Sequence, residues 1–275
     1  MYYLGRSLTA LSAVLALLAH TASADTTLVK IATDGSEQPE GKYIRPAWAN
    51  GSAPVTDMSS PDMMCRTSDP QGTTTKSCPV SAGSMVGVFF STKANSGNSG
   101  ALSTSAKGPI LAYLAPAQSG GNGNVWVKVF ESGYDTGSQQ WATEKFIKED
   151  GIISVNIPAE FENGDYLLRT EVIDLSSGTP KFYPNCVQLT LKNGGSSPLP
   201  KGAAFPGTYK QGGTGLVLPS DPTTYTPPGP AIYGSTGDNS NDSSSGPSPK
   251  KACTKNKSKW SKRSKRSKRS KRSNH

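Results

Sequence analysis

The stretch YLLRTEVIDLSSGTPKFYPNCVQLTL, residues 166–191, indicates the fold of this chain. Residues 166–175 and 186–191 are rich in β-branched, aromatic and other apolar side chains, and a cluster of Ser, Gly and Pro lies between them. In CVQLTL, residues 186–191, apolar and polar residues alternate as they do in a half-buried strand. The stretch therefore predicts two β strands separated by a loop.

Similar short apolar runs occur along the rest of the chain, separated by clusters of Gly, Pro, Ser and Asn. We predict five more strands, at residues 28–32, 85–91, 110–114, 125–130 and 152–157. Only residues 140–149 have a helix-like composition. Seven or more short strands with long loops indicate an all-β fold, an antiparallel β-sandwich of the immunoglobulin or fibronectin kind.

Residues 1–24 have the pattern of a secretory signal peptide. One basic residue precedes an apolar run at residues 8–19, and Ala22-Ser23-Ala24 is a small-residue cleavage site. The mature chain is then expected to begin at Asp25. No other run approaches the roughly 20 apolar residues of a membrane span, so we expect a secreted, extracellular protein. His20 would leave with the leader, and His275 would be the one histidine kept.

Composition divides the mature chain into three parts. Residues 25–233 hold nearly all the large apolar side chains and form the predicted domain. Residues 234–249 consist almost entirely of Gly, Ser, Asn, Asp and Pro, which predicts a flexible linker. Residues 250–275 hold 13 of the 29 Lys and Arg and no acidic residue, with Ser-Lys-Arg repeated four times, which predicts a disordered basic tail. Such a tail would bind polyanions.

The four cysteines favour disulfide bonds in an exported chain, and three pairings of Cys65, Cys78, Cys186 and Cys253 are possible. Asn50-Gly51-Ser52 is a sequon for N-glycosylation, so Asn50 is the expected acceptor.

Several segments, in order, make the chain similar to fungal lytic polysaccharide monooxygenases of auxiliary activity family 9 over nearly all of residues 25–230. They include YIRPAWANGSAPVTDMSSPDMMC (43–65), SAKGPILAYLAPA (105–117), VNIPAEFENGDYLLRTEVIDL (155–175) and KFYPNC (181–186). The resemblance implies a β-sandwich that oxidises cellulose or related β-glucans at a surface copper ion. It also implies a disulfide between Cys65 and Cys186, which would leave Cys78 and Cys253 to pair by default.

The residues at the implied copper site depart from the family pattern. The family binds copper through its N-terminal histidine and a histidine before the KGP segment, with an axial tyrosine; the matching positions here are Asp25, Ala106 and Tyr183. Nitrogen ligands are what Cu(II) prefers. A histidine and a glutamine that usually support the site correspond to Thr170 and Lys181. We therefore expect no catalytic residues, no metal and no cofactor.

Loss of copper chemistry would not remove polysaccharide binding. Tyr43, Trp48 and Tyr209 are the candidate residues for binding cellulose, β-glucan or another cell-wall component through ring stacking. Three hypotheses follow for this expected monomer. It is a polysaccharide-binding protein without oxidative activity, an active copper monooxygenase that cleaves cellulose at C1 or C4, or an extracellular polyanion-binding protein that acts through its basic tail.

Overall fold

The computed structural model describes residues 26–47, 52–73, 75–91 and 102–235, and its regular elements are mostly strands. Asp25, Trp48, Asn50 and Cys253 lie outside the described residues. The strands are β1 (Thr27–Thr33), β2 (Ser36–Glu37), β3 (Cys78–Ser81), β4 (Met85–Ser91), β5 (Ile110–Pro116), β6 (Val127–Ser132), β7 (Tyr134–Asp135), β8 (Gln140–Trp141), β9 (Ile152–Asn156), β10 (Gly164–Asp174) and β11 (Lys181–Lys192). The α-helices are α1 (Asp62–Cys65) and α2 (Ala142–Lys148), and 3₁₀ turns span Ala117–Ser119 and Pro222–Thr224.

The strands form two main sheets. One has four strands in the order β2-β1-β4-β9, and the other has five in the order β3-β11-β10-β5-β6. Every pairing within the two sheets is antiparallel except that of β3 with β11, which is parallel. The β10–β11 hairpin is the longest pairing, with 11 residue pairs from Gly164↔Leu191 to Asp174↔Lys181. The β-sandwich expected from the sequence is confirmed, with one parallel edge strand.

The main core lies between the two sheets, because alternate side chains of both point inward. Buried residues of the four-stranded sheet share one apolar cluster with residues of the five-stranded sheet. Its members include Leu28, Val86, Val155, Ala112, Leu168 and Val187. Each of the Leu and Val side chains, when fully buried, contributes about 1.5–3 kcal/mol to folding.

A second apolar cluster covers the outer face of the five-stranded sheet. Leu111 and Tyr113 of β5 and Leu167 of β10 belong to it, and so do side chains of two loop segments, residues 55–65 and 203–225. Because the outer face of this sheet is also buried, β5 is apolar at every position instead of alternating, and β10 is buried at consecutive positions although it carries Arg169, Thr170 and Glu171.

The observed elements differ from the sequence prediction mainly at their ends. The strand predicted at residues 125–130 begins at Val127, because Trp126 forms an isolated bridge with Ala203 instead. The helix predicted at residues 140–149 spans Ala142–Lys148 after the two-residue strand β8, and the Glu144 carboxylate accepts a 2.7 Å hydrogen bond from the Trp141 backbone N–H. β3 was not predicted, because Pro79 follows its first residue.

Candidate functional site

At the position where the family resemblance implies a histidine ligand, this chain has the buried methyl group of Ala106. Ala106 is completely buried and belongs to the apolar cluster between the sheets, which also contains Tyr183. Its backbone is fixed at both ends: the N–H donates to the Ser103 carbonyl at 3.0 Å, and the carbonyl accepts from the Thr143 hydroxyl at 2.9 Å. The side chain offers no donor atom to a metal.

The phenol of Tyr183, in the axial position implied by the family, lies beneath a permanent positive charge. Tyr183 is only 2% exposed on β11, and the Arg66 guanidinium carbon lies 5.6 Å from its ring centroid. Arg66 follows α1 in the left-handed conformation, with φ 45°. A guanidinium keeps its proton at every accessible pH, so the site carries a fixed cation of its own.

The two supporting positions also depart from a metal site. Thr170 on β10 is completely buried opposite Ala112 and Asn185, and its hydroxyl has no hydrogen-bond partner among the described residues. Lys181 begins β11 opposite Asp174, is half-buried and carries an ammonium where the family pattern has a neutral amide.

The donor set therefore does not fit copper. Within the part of the chain that the structure describes there is no histidine, and no three His, Cys, Asp or Glu side chains are grouped so that they could hold a metal ion. A phenol beside a guanidinium lacks the nitrogen ligands that Cu(II) prefers. We assign no chemical step to a metal at this site.

Two of the three residues expected to bind sugar are buried, which corrects the sequence prediction. Tyr209 is 4% exposed within the outer apolar cluster, and its ring stacks on Phe182 with centroids 5.5 Å apart. Tyr43 is 9% exposed and belongs to the cluster between the sheets. Neither ring presents a face to a polysaccharide, because packing against the sheets covers them. Trp48, the third candidate, lies outside the described residues.

Tyr209 belongs to a buried polar network that sequence patterns did not reveal. Its hydroxyl donates to the Glu171 carboxylate at 2.7 Å and lies 3.3 Å from the Tyr113 hydroxyl. Glu171 also forms a completely buried ion pair with Arg169. Burial, followed by the negative charge of Glu171, raises the pKa values of Tyr113 and Tyr209 well above the usual value for a tyrosine.

Arg169 and Lys128 extend this network and fasten the outer loops to the sheet. Arg169 donates hydrogen bonds to the Met63 and Met64 carbonyls, and its guanidinium carbon lies 3.9 Å from the Phe205 ring centroid. Lys128 is 1% exposed and donates to Glu131 at 2.9 Å and to the Pro228 carbonyl at 2.8 Å. The buried charges are thus paired or hydrogen-bonded, which fits a structural role.

An open groove lies beside Tyr209, where three loops meet. Residues 56–59, 178–180 and 206–217 line a volume of about 840 Å³. Its accessible side chains combine apolar surface from Pro180 and Val217 with polar groups from Asp57, Lys210 and Gln211. Val217 is 63% exposed. The Asp57 carboxylate accepts hydrogen bonds from the hydroxyl and the backbone N–H of Ser59, which lower its pKa.

The structure contains the disulfide that the resemblance implied. Cys65 at the end of α1 and Cys186 in β11 form a disulfide, with Cα atoms 5.2 Å apart and a sequence separation of 121. Cys78 is a buried thiol 3.9 Å from the Thr33 hydroxyl, and burial raises its pKa. Its suggested partner, Cys253, lies outside the described residues.

Comparison with known proteins supports the same family over most of the domain. The model of Auxiliary Activity family 9 (formerly GH61) matches residues 23–226. The AA9 family lytic polysaccharide monooxygenase A of Aspergillus niger is 36% identical over 229 residues, which cover 80% of this chain and 55% of the relative. The AA9 family lytic polysaccharide monooxygenase C of Aspergillus fumigatus is 33% identical over 245 residues, covering 87% of this chain and 67% of the relative.

Solved structures have the same fold. CvAA9A superposes with a TM-score of 0.68 and 26% identity, covering 76% of this chain and 97% of that one. Cel61B from Hypocrea jecorina gives a TM-score of 0.63 at 20% identity, covering 76% and 100%, which bears on the fold alone. The chain belongs to Auxiliary Activity family 9. It spans little more than half the length of the Aspergillus niger relative, and among its described residues no helix is long and apolar enough to cross a membrane.

Proposed function

We propose that this protein is a secreted member of Auxiliary Activity family 9 that binds cellulose, another β-glucan or a further cell-wall component without copper-dependent oxidation. The observation that carries the proposal is the buried methyl of Ala106 at the second ligand position. The apolar run and cleavage motif of residues 1–24 support secretion.

Chemistry at the three implied ligand positions argues against redox cycling. Asp25 in place of the N-terminal histidine would offer an amine and a carboxylate, and Tyr183 would offer a phenol. Oxygen ligands favour harder ions and hold Cu(I) poorly, so a reductant would not produce a stable reduced site.

The groove beside Tyr209 is the surface that best suits a polysaccharide. Sugar rings have apolar C–H faces and polar rims, and concave sites that pair apolar surface with a few polar groups bind such ligands. Val217 and Pro180 provide the apolar contacts, and Asp57, Lys210 and Gln211 provide partners for hydroxyl groups. This surface replaces the buried tyrosines as the proposed binding site.

One set of measurements on the mature protein, with its N-terminus sequenced, tests the proposal. We expect calorimetry to show weak Cu(II) binding. We also expect no oxidised oligosaccharides to be released from cellulose with a reductant and peroxide. Binding to cellulose and soluble β-glucan is then compared between two variants. Val217→Asp, in the groove, should weaken binding several-fold. Met85→Asp, at an exposed apolar residue of the four-stranded sheet, is the control and should leave binding unchanged. Tight copper binding with C1- or C4-oxidised products would overturn the proposal.

That last outcome would establish the second candidate, an active copper monooxygenase. The names of the Aspergillus relatives favour it. It requires copper to be the cofactor, although Ala106 supplies no ligand atom at the second position.

A third candidate is a polyanion-binding protein that acts through residues 250–275. The observation in its favour is 13 basic residues without a single acidic one. Clustered Lys and Arg bind phosphate or sulfate polymers by releasing counterions, whatever the fold of the attached domain.

A further inference from the structure

Three Asn-Gly pairs lie within the part of the chain that the structure describes, at residues 122–123, 163–164 and 193–194. In such a pair the glycine backbone nitrogen can attack the amide carbon of the asparagine side chain, because glycine has no Cβ to hinder the approach. Ammonia leaves, and water then opens the succinimide ring to aspartate or isoaspartate. The attack requires a glycine N–H that can lose its proton and an asparagine side chain that can turn toward it.

One hydrogen bond obstructs this reaction at both Asn163 and Asn193. The Gly194 N–H donates to the Asn163 side-chain oxygen at 2.8 Å. This bond occupies the nitrogen that would attack Asn193. It also fixes the Asn163 amide on Gly194, so the amide is not free to turn toward the nitrogen of Gly164, which is paired with Leu191 at the start of β10.

The loop around Asn193 is held by further contacts. The Asn193 side-chain nitrogen donates to the Ser81 hydroxyl at 3.3 Å. The backbone at Gly194 is packed so closely that a Cβ there would collide with the Phe161 carbonyl oxygen. Both the attacking nitrogen and the side chain that it would attack are therefore restrained.

The pair at Asn122 meets both conditions for the reaction. Asn122 and Gly123 are exposed, and the Gly123 N–H has no hydrogen-bond partner among the described residues. A Cβ on Gly123 would meet nothing within 4 Å, so the backbone there has room to move. The Asn122 side chain donates one exposed hydrogen bond, to the Ser119 carbonyl at 3.1 Å, which water can replace.

We propose that Asn122 is the site of spontaneous deamidation in the folded domain. The hydrogen bond from Gly194 protects Asn163 and Asn193, although they have the same Asn-Gly sequence. This modification needs only water, and it goes beyond the proposed function without depending on it.

The modification would alter a turn that packs against the core. Deamidation replaces the neutral amide of Asn122 with a carboxylate, and isoaspartate also inserts the side-chain methylene into the backbone. The adjacent residue, Gly121, accepts a 2.8 Å hydrogen bond on its carbonyl from the indole N–H of the buried Trp126. The lengthened backbone thus lies directly beside the group that holds this indole.

Peptide mass mapping of the intact mature protein, aged in mildly alkaline buffer, tests the proposal. We expect Asn122 to convert to aspartate and isoaspartate faster than Asn163 or Asn193 by at least about three- to tenfold, the factor that corresponds to opening one hydrogen bond. In denaturant the three rates should converge, because only the folded chain distinguishes the pairs. Equal rates in the folded protein, or a slower rate at Asn122, would overturn the proposal.

The protecting hydrogen bond is tested with two substitutions of an exposed residue. Asn163→Ala removes the acceptor of the Gly194 N–H and should speed conversion of Asn193 by about three- to tenfold. Asn163→Asp keeps an acceptor oxygen and should leave Asn193 slow. The rate at Asn122 is the internal control and should be the same in both variants. An unchanged Asn193 rate in Asn163→Ala would overturn the protective role, and none of these outcomes bears on copper or polysaccharide binding.

Discussion

Single substitutions at a few positions decide what this site can do. The methyl of Ala106 offers no donor atom, and the Arg66 guanidinium lies over the Tyr183 ring. Such changes leave the surrounding sandwich intact, because its apolar cluster continues through Ala106 and Tyr183. A substitution at one residue can therefore change the chemistry of a site without changing the fold.

The buried tyrosines should make stability fall in alkali. Tyr113 and Tyr209 have raised pKa values because they are buried beside Glu171, whereas tyrosines in the unfolded chain ionise near pH 10. Above that pH the unfolded state binds fewer protons than the folded state, so the free energy of unfolding decreases as pH rises. Each tyrosine contributes a slope of about 1.4 kcal/mol per pH unit, until the pH reaches its folded-state pKa.

Urea unfolding from about pH 9 to pH 11 checks this expectation. Tyr209→Phe should lower the free energy of unfolding at pH 8 by about 1–3 kcal/mol, because Glu171 loses a hydrogen bond, and should make the alkaline decline shallower. Phe182→Leu is the control: it disturbs packing against the same ring and should leave the slope unchanged. Equal slopes for wild type and Tyr209→Phe would contradict the prediction.

At the scale of elements, the sequence predicts strands better than it predicts which loops cover them. The predicted runs 85–91 and 110–114 lie within observed strands, because β-branched and apolar residues suit a pleated buried surface. The burial of Tyr209 could not be predicted, since it depends on Glu171 facing outward on β10 and on the 203–225 segment folding over that face. One feature of the sequence could have indicated the buried network: Arg169 and Glu171 are two residues apart, so their opposite charges lie on the same face of one strand.

In the candidate site too, some features could be predicted from sequence motifs and others depend on the folded chain. Family motifs implied the Cys65–Cys186 disulfide, which the structure contains, and they pointed to Ala106 and Tyr183, which both lie in the apolar cluster between the sheets. They did not reveal Arg66 as a neighbour of Tyr183, since 117 positions separate the two and only the folded chain brings the guanidinium over the ring. Contacts that depend on tertiary packing leave no local periodicity in the sequence.

Two glycines in the groove loop provide a matched test of how the C-terminal segment is held. Gly215 and Gly212 both have a left-handed φ, +77° and +70°. A Cβ on Gly215 would lie 2.5 Å from the Pro228 nitrogen and the Thr226 carbonyl oxygen, whereas one on Gly212 would meet nothing within 4 Å. Gly215 also accepts a 2.7 Å hydrogen bond from the Tyr225 hydroxyl.

We expect Gly212→Ala to cost about 1–2 kcal/mol in free energy of unfolding, the penalty of a left-handed alanine. Gly215→Ala should cost at least about 1–3 kcal/mol more, because backbone atoms must move and packing is lost. Urea unfolding of both variants measures the difference. Equal costs would show that the loop is not held tightly against residues 226–228.

At the scale of the whole molecule, charge is divided sharply along the chain. The chain has 29 basic and 20 acidic residues, and 13 of the basic ones lie in residues 250–275. The remainder therefore has 16 basic and 20 acidic side chains and is mildly acidic. A net charge of +9 describes neither part, and binding to anionic polymers should depend on the C-terminal residues alone.

Deleting residues 250–275 should abolish retention on an anionic polymer at low salt and leave the melting temperature nearly unchanged. Counterion release supplies the binding, so retention by the full chain should fall steeply between about 50 and 200 mM salt. The deletion should not change the stability of the domain, since a segment so poor in apolar residues buries little surface. A length control replaces the Lys and Arg of the four Ser-Lys-Arg repeats with Gln, and it should weaken retention as the deletion does, to a smaller extent. A large fall in melting temperature on deletion would instead show that the tail docks on the domain, and retention by the truncated chain would place polyanion binding on the sandwich itself.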